Sequence, residues 1–469
     1  MKPSDTKRKS VSSKDEQTFY AKHEKTYPRI TFGFFSRLKA LSGVTLLSIY
    51  YLFPWLQWDE RQAILFDLPA RQFHIFGFTF WPQDFIYLAF LLIVAAFTLF
   101  FFTTLAGRLW CGFACPQTIW TDAFVWMERL VTGDRAKQIK LDQAPLSFRK
   151  FRLKATKHVL WFAFALFTGF TFVGYFTPIR ELTQGIMMFN LGGWETFWLL
   201  FYSFATYGNA GWLREQICMY MCPYARFQSA MFDKNTMIIA YDNQRGEPRG
   251  ARKLRADYEA QGLGNCINCT MCVQVCPVGI DIRDGLQYQC ISCSACIDAC
   301  DKIMAKMNYP KGLIRYTTEN ILDGKPTRIL RPRIFVYGGI LLAIFIGIGM
   351  SISTRSLVEV DVIRDRNSLF IETASGLIEN VYRLKIMNKD NKPHSYDVIA
   401  NGIEGLQLTK DQDILVSGGS VITLPVRLTA NPKNLLTRSM TITFQLIARD
   451  NPELTITEEA RFLGPFIRH

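Results

Sequence analysis

Twelve cysteines set the chemistry open to this 469-residue chain, and eight of them fall in two consecutive runs. Cys266, Cys269, Cys272 and Cys276 are spaced by two, two and three residues and followed by Pro277; Cys290, Cys293, Cys296 and Cys300 repeat the spacing. Thiolates in this pattern are donors to 4Fe-4S cubes. In the bacterial two-cluster arrangement, three close cysteines hold one cube and the fourth of the run holds the other. The spacing therefore predicts one cluster on Cys266, Cys269, Cys272 and Cys300, and another on Cys290, Cys293, Cys296 and Cys276. Zinc, or buried thiols without metal, would account for a single run more readily than for two matching ones. One position departs from the pattern: Asp301, not proline, follows Cys300. A carboxylate pointing inward there would lower a cluster's potential.

The other four cysteines form two copies of Cys-x3-Cys-Pro, Cys111 to Cys115-Pro116 and Cys218 to Cys222-Pro223, 107 residues apart. Residues i and i+4 of a helix share a face, so each pair is expected to present two thiols together. Each copy follows a pair of apolar segments, and parallel repeats of that kind bring their motifs to one side of the membrane. Soft thiolates suit Cu(I), and Met219 and Met221 would add thioethers if they turn inward. The motif leaves three uses open: a copper site, a thiol–disulfide couple, or ligands for a further cluster. Simple packing is the bland alternative, weakened because the motif occurs twice.

Other redox and catalytic signals are missing. The five histidines are His23, His74, His158, His394 and His469, and they offer no pair for a bis-histidine haem. There is no Gly-x-Gly-x-x-Gly, phosphate-binding loop or nucleophile elbow.

These thiols need a scaffold, and apolar segments supply it. Five stretches approach or reach the length needed to cross a bilayer: 41–56, 85–105, 159–178, 196–213 and 334–354. Pro54 in the first and Asn209 in the fourth mark those two as candidates for interfacial or re-entrant segments. Basic residues outnumber acidic ones eight to four over 107–153 and 17 to 12 over 209–333, but number two against three over 57–82. The positive-inside rule then places the N-terminus and every cysteine on the cytoplasmic side, where thiols stay reduced. The net charge of +14 lies wholly before residue 354, because 354–469 carries 14 basic and 14 acidic residues. That distribution belongs to a membrane protein and argues against nucleic acid as a partner.

Beyond residue 354 the pattern changes to short alternating runs at 358–363, 381–386 and 440–447, separated by turn residues. About seven strands of an immunoglobulin-like β-sandwich are expected, without its usual disulfide. His394 and His469 are expected at its surface. The fold class is thus a multi-domain membrane protein: an α-helical transmembrane bundle of about five helices, a ferredoxin-like α+β insert with two 4Fe-4S clusters, and a C-terminal all-β immunoglobulin-like sandwich. The boundaries are a basic cytoplasmic tail (1–36), a four-helix region (37–225), the ferredoxin domain (226–333), a last helix (334–354) and an outer domain (355–469).

This combination of a basic tail, two hairpins each followed by Cys-x3-Cys-Pro, a double cysteine run and an outer sandwich resembles the FixG/CcoG/RdxA proteins. The membrane half also resembles NapH-type quinol-linked subunits. The first resemblance implies a cupric reductase of the bacterial inner membrane, supplying Cu(I) for assembly of cbb3-type cytochrome oxidase. It implies copper reduction at Cys111, Cys115, Cys218 and Cys222, fed through the eight other cysteines by a cytoplasmic electron donor. The sandwich would be periplasmic, and the partners would include the oxidase assembly machinery, a copper chaperone or transporter, and a second copy in a homodimer. Two alternatives remain: a quinol-linked electron carrier indifferent to copper, and a non-catalytic assembly scaffold with structural clusters.

Overall fold

The computed structural model describes residues 25–58, 61–254, 257–258, 260–365, 368–390, 392–409 and 414–465. Most of the expected tail, with His23 and His469, lies outside them. The chain forms two compact units. One takes the described residues of Met1–Tyr51, Thr98–Phe172 and Gly192–Tyr337; the other takes those of Leu52–Phe97, Val173–Leu191 and Gly338–His469.

Among the described residues three helices, not five, are long and apolar enough to cross a membrane: Phe85–Ala106, Phe148–Val173 and Pro332–Ser353. Phe85–Ala106 has no charged residue and a mean hydropathy of 2.7, yet almost none of it is buried inside the protein. A helix apolar on every side and left uncovered requires an apolar surround. Phe148–Val173 starts 11 residues before the expected 159, because basic side chains such as Arg149, Lys150 and Arg152 occupy its first turns. The two other expected segments differ for local reasons. The stretch expected at 41–56 is a helix over Phe34–Leu52 that carries Arg37 and Lys39 and gives way to a tight turn at Phe53–Trp55, with Pro54 inside. The stretch expected at 196–213 is α-helical over Gly193–Thr206 and then widens into a π-helix over Tyr207–Leu213, next to Gly208 and Gly211.

The cysteine-run region belongs to the first unit. Strands Ile238–Tyr241 and Ile314–Thr317 pair antiparallel. Helices Met271–Gln274 and Ala295–Met307 carry the third cysteine of each run, and Ile239, Ile282, Ile297, Met304 and Ile314 share one apolar cluster with Cys272.

The second unit contains the sandwich, with nine strands among the described residues. Its five-stranded sheet runs Gln407–Leu408, Val421–Ala430, Ile378–Asn388, Val358–Arg364, with Ile371–Glu372 beside Ile378–Asn388; its four-stranded sheet runs Ile414–Val416, His394–Asn401, Ser439–Ala448, Thr455–Leu463. Alternation decides which face is inside: Tyr382, Leu384 and Ile386 are buried while Arg383 between them is exposed. They meet Tyr396, Phe444, Leu446 and Phe462 in the core. The stretch 57–82 contributes a three-stranded sheet, Ile64–Asp67, Gln72–Ile75 and Phe78–Phe80. Buried Asp84 binds both Arg355 (2.5 Å) and Lys389 (3.3 Å), joining the start of one long helix to the end of another and to the sandwich.

His394 is not a surface residue. It is 5 % exposed, with Nδ1 2.5 Å from Asp450 and Nε2 3.0 Å from Asp390. Burial alone would lower its pKa, but the two carboxylates outweigh burial and raise it. A raised folded-state pKa stabilises the sandwich fully below the unfolded histidine value of about 6.5, and that stabilisation fades as pH rises through the folded value. His394→Gln is therefore expected to lower the sandwich's unfolding temperature most at pH 5.5–6, with a gap to wild type that narrows on the alkaline side. A pH-independent gap in thermal unfolding would show that the carboxylate contacts contribute no charge interaction.

Candidate metal centres

The eight cysteines of the double run line two small pockets of about 20 Å3 each. Cys266, Cys269, Cys272 and Cys300 share one; Cys276, Cys290, Cys293 and Cys296 share the other, with Cys272 between them. The fourth cysteine of each run therefore stands with the first three of the other. Local backbone produces this. Asn268 and Thr270 in the first loop, and Ser292 and Ser294 in the second, all have positive φ, between 52° and 61°. Left-handed conformations are costly for such residues, Thr above all, and their recurrence at matching positions marks a demanding site. They curl each loop so that thiols two residues apart face one pocket.

The donor set fits iron–sulfur cubes: four soft thiols per pocket, in apolar walls that include Ile239, Ile282 and Ile314. Among the described residues no three His, Cys, Asp or Glu side chains form a ready single-ion site. Thiols standing around a pocket suit a cube, whose four iron corners take one thiolate each. Burial pushes the Cys276 and Cys300 thiols up to about 12 and Cys272 up to about 11. Arg283, in the wall of the first pocket, opposes this at Cys272. Cys269 is the exposed member of the eight. Asp301 stands close enough to Cys300 to raise its pKa, while its Oδ1 accepts the Gly312 N–H at 2.8 Å.

Cys111, Cys115, Cys218 and Cys222 lie near enough for their charges to act on one another. Cys111 is pushed up to about 12 by burial and then by the charges of Cys115, Cys218 and Cys222, while Arg108 opposes the shift. Cys218 rises to about 12 for similar reasons. The expected i, i+4 helical face is not how it happens. Cys111 sits in the short helix Leu109–Phe113 and Cys218 in the π-turn Ile217–Met221, but Cys115 and Cys222 have extended backbone (ψ 128° and 111°) and cap new helices, Pro116–Thr132 and Pro223–Met231. Proline disfavours α-conformation in the residue before it and is at home in a helix's first turn, so each Cys-Pro ends one helix and starts another. Met221 is 66 % exposed, and Met219 lines a cavity with Trp161 and Lys157.

The four-thiol site adjoins the second pocket. A Cβ on Gly112, inside Cys111-x3-Cys115, would lie 2.5 Å from the Ser292 carbonyl oxygen and 3.0 Å from that of Ile291. Only a glycine lets the two motifs touch backbone to backbone. Arg108 is 3 % exposed and donates to the carbonyls of Tyr288, Cys290 (3.3 Å) and Ala225. Cys111 Sγ donates to Gln228 Oε1 at 3.3 Å.

The cysteine pattern did not reveal Arg108, Gly112 or Asp298. The first two had a signal, their places just before and inside the Cys-x3-Cys; Asp298 had only its place between Cys296 and Cys300. Its carboxylate accepts the Phe35 N–H (3.2 Å), the Ser36 N–H (2.7 Å) and the Ser36 hydroxyl (2.6 Å) at the start of helix Phe34–Leu52. It caps that helix from 262 residues away.

Comparison with known proteins agrees with this geometry. Family models match at 213–319, a "4Fe-4S dicluster domain", at 88–132, a "4Fe-4S binding domain", and at 348–465, the "IG-like fold at C-terminal of FixG". The second spans Cys111 and Cys115. Protein RdxB of Cereibacter sphaeroides is 39 % identical over 88 % of this chain and 89 % of its own length. Nitrogen fixation protein FixG of Rhizobium meliloti is 36 % identical, over 79 % and 78 % respectively. A crystal structure of a FixG-related protein from Vibrio parahaemolyticus is 34 % identical over 23 % of this chain and 97 % of that one, with a TM-score of 0.22.

Loss of the Asp298 cap is open to measurement. Asp298→Ala is expected to destabilise the first unit by about 0.5–2 kcal/mol, as lost helix caps do, and to speed proteolysis within 25–36. Unchanged cleavage there would remove Asp298 from this anchoring role.

Proposed function

The chain belongs to the FixG/RdxA family of iron–sulfur proteins, and from that membership and its three thiol sites we propose a membrane-bound cupric reductase. The observation that carries the reading is the backbone contact between Gly112 and the Ile291–Ser292 loop, which sets a site of four soft thiols against a cluster-binding loop. Cys266, Cys269, Cys272 and Cys300 hold one cube; Cys276, Cys290, Cys293 and Cys296 hold the other. When bound, each cube stores and releases one electron. Exposed Cys269 marks the end open to a cytoplasmic donor.

Cu(II) is the substrate at Cys111, Cys115, Cys218 and Cys222, which draw in around the ion, since among the described residues no three such side chains form a ready single-ion site. Its reduction to Cu(I) needs one electron, which the group held by Cys290 and Cys293 of the adjoining loop would supply when bound; thiolates hold Cu(I) better than Cu(II), and this preference favours the transfer. The protein's part is positional and electrostatic. Gly112 removes the side chain that would separate the sites, and buried Arg108 supplies a positive charge beside thiols that must ionise to bind metal. The loop charges support the cysteines inside and an outer sandwich, an orientation that needs Phe34–Leu52 and Gly193–Thr206 to cross beside the three long apolar helices; the family resemblance supports a bacterial inner-membrane location. The family resemblance supports cbb3-type oxidase assembly as the use of the Cu(I), with a homodimer and a copper chaperone or transporter as partners.

A further cube at the four thiols is the second reading, favoured by the match of a 4Fe-4S binding family to 88–132. Metal analysis separates the two. The copper reading expects about eight iron per chain, Cu(II)-dependent reoxidation of reduced protein with matching Cu(I) formation, and loss of that reaction with iron retained when all four cysteines become serine. About twelve iron, falling by a third in the four-serine variant, would assign the site to a third cube. Cys300→Ser tests the crosswise sets: it should alter the spectrum of the cube on Cys266, Cys269 and Cys272 and spare the one on Cys290, Cys293 and Cys296. The reverse would show that each run holds its own cube.

A further inference from the structure

A cavity of about 600 Å3 in the first unit has a cluster-loop cysteine, Cys293, in its wall. That size is ordinary for a small-molecule site. One side is apolar, with Val44 and Leu47 from helix Phe34–Leu52, Trp126 from helix Pro116–Thr132, and Phe164, while Arg29 and Arg129 also line the cavity. Val44 and Trp126 are 64 % and 62 % exposed, and Leu41 beside them is 65 % exposed. That side therefore offers an apolar surface that favours hydrocarbon over water. Another part of the wall is polar. Lys39 Nζ lies 2.7 Å from Asp122 Oδ2, and Glu215 lines the cavity with them.

The apolar side favours a reductant that carries hydrocarbon. A donor and an acceptor side by side in the polar part suit a ring bearing oxygens that both accept and donate hydrogen bonds. The cysteine wall suits a molecule that exchanges electrons. We propose that this cavity binds a membrane quinol and is a second entry for electrons, independent of the Cys269 end. The inference rests on the iron–sulfur reading of the double run. Oxidation of one quinol to quinone releases two electrons and two protons. The cysteines of the double run would hold two one-electron acceptors, enough for both electrons; the protons pass by way of Asp122, whose side chain is 46 % exposed, to water. Two one-electron sites thereby match a two-electron donor to a metal that is reduced one electron at a time.

Gly43 supplies the probe. It lines the cavity, and a Cβ there would meet only Ile119 Cγ2, at 4.0 Å, so a larger side chain has room to grow into the space. Full-length protein in lipid nanodiscs is photolabelled with an azidoquinone and digested. Labelling within 34–47 and 119–129, competed by decylubiquinone and lost in Gly43→Phe, is the expected result. Lys39→Gln keeps the cavity open but removes the charged donor, and should weaken competition about tenfold. Label scattered elsewhere, label that decylubiquinone does not compete, or label that both variants leave unchanged would overturn the proposal. In the second arm decylubiquinol is expected to bleach the iron–sulfur absorption of wild type and not of Gly43→Phe, while dithionite bleaches both. Bleaching by dithionite alone in wild type would overturn quinol entry and leave the iron–sulfur reading intact. Failure of that reading has its own signature, protein without iron, and the labelling arm decides the cavity in either case.

Discussion

Thiolates that bind metal must be buried without being left as uncompensated anions, and the first unit is organised around that conflict. Burial raises the thiol pKa at Cys111, Cys218, Cys272, Cys276 and Cys300 alike. A cation accompanies each group: Arg283 beside the first pocket, Arg108 beside the second pocket and the four-thiol site. Arg108 spends its hydrogen bonds on backbone carbonyls instead of a carboxylate. Its charge is thus left to act on the sulfurs, which a salt bridge would have cancelled.

The same residues that carry charge also hold the parts in register. Arg108 links the segment after Phe85–Ala106 to the 288–290 loop and to helix Pro223–Met231. Asp298 fixes the start of helix Phe34–Leu52 to the helix carrying Cys296 and Cys300. Glu128, buried at 3 %, takes Arg214 at 2.5 Å and Lys157 at 3.5 Å. Buried charges of this kind are poor sources of net stability but strong determinants of which arrangement forms, because an unpaired one is so costly. A site that must keep separate thiol groups at fixed separations gains from that selectivity.

Much of this was readable in the chain. The repeated cysteine spacing anticipated the crosswise grouping of the eight thiols around two pockets, because a loop that turns three thiols to one pocket throws the fourth out of reach. Strict alternation identified the sandwich, since a strand buried on one face has only one way to arrange its side chains. The membrane segments were partly readable. Hydropathy sums a window and does not see that Pro54 ends a helix or that the backbone widens after Thr206. His394 was misjudged for a related reason: nothing near it in sequence announces Asp450, 56 residues later, as its partner.

What the sequence determined by itself was chemistry and local geometry: which atoms are soft donors, where Cys-Pro must break a helix, and where alternation demands a sheet. Those follow from short-range sterics and residue type. What only the tertiary structure decided was proximity: that four cysteines from two distant motifs come within reach of one another's charge, that Gly112 lets their segment touch the Ser292 loop, and that a cavity with an apolar side has Cys293 in its wall. Each depends on packing between segments separated by 100 residues or more, and such contacts leave no periodicity in the chain.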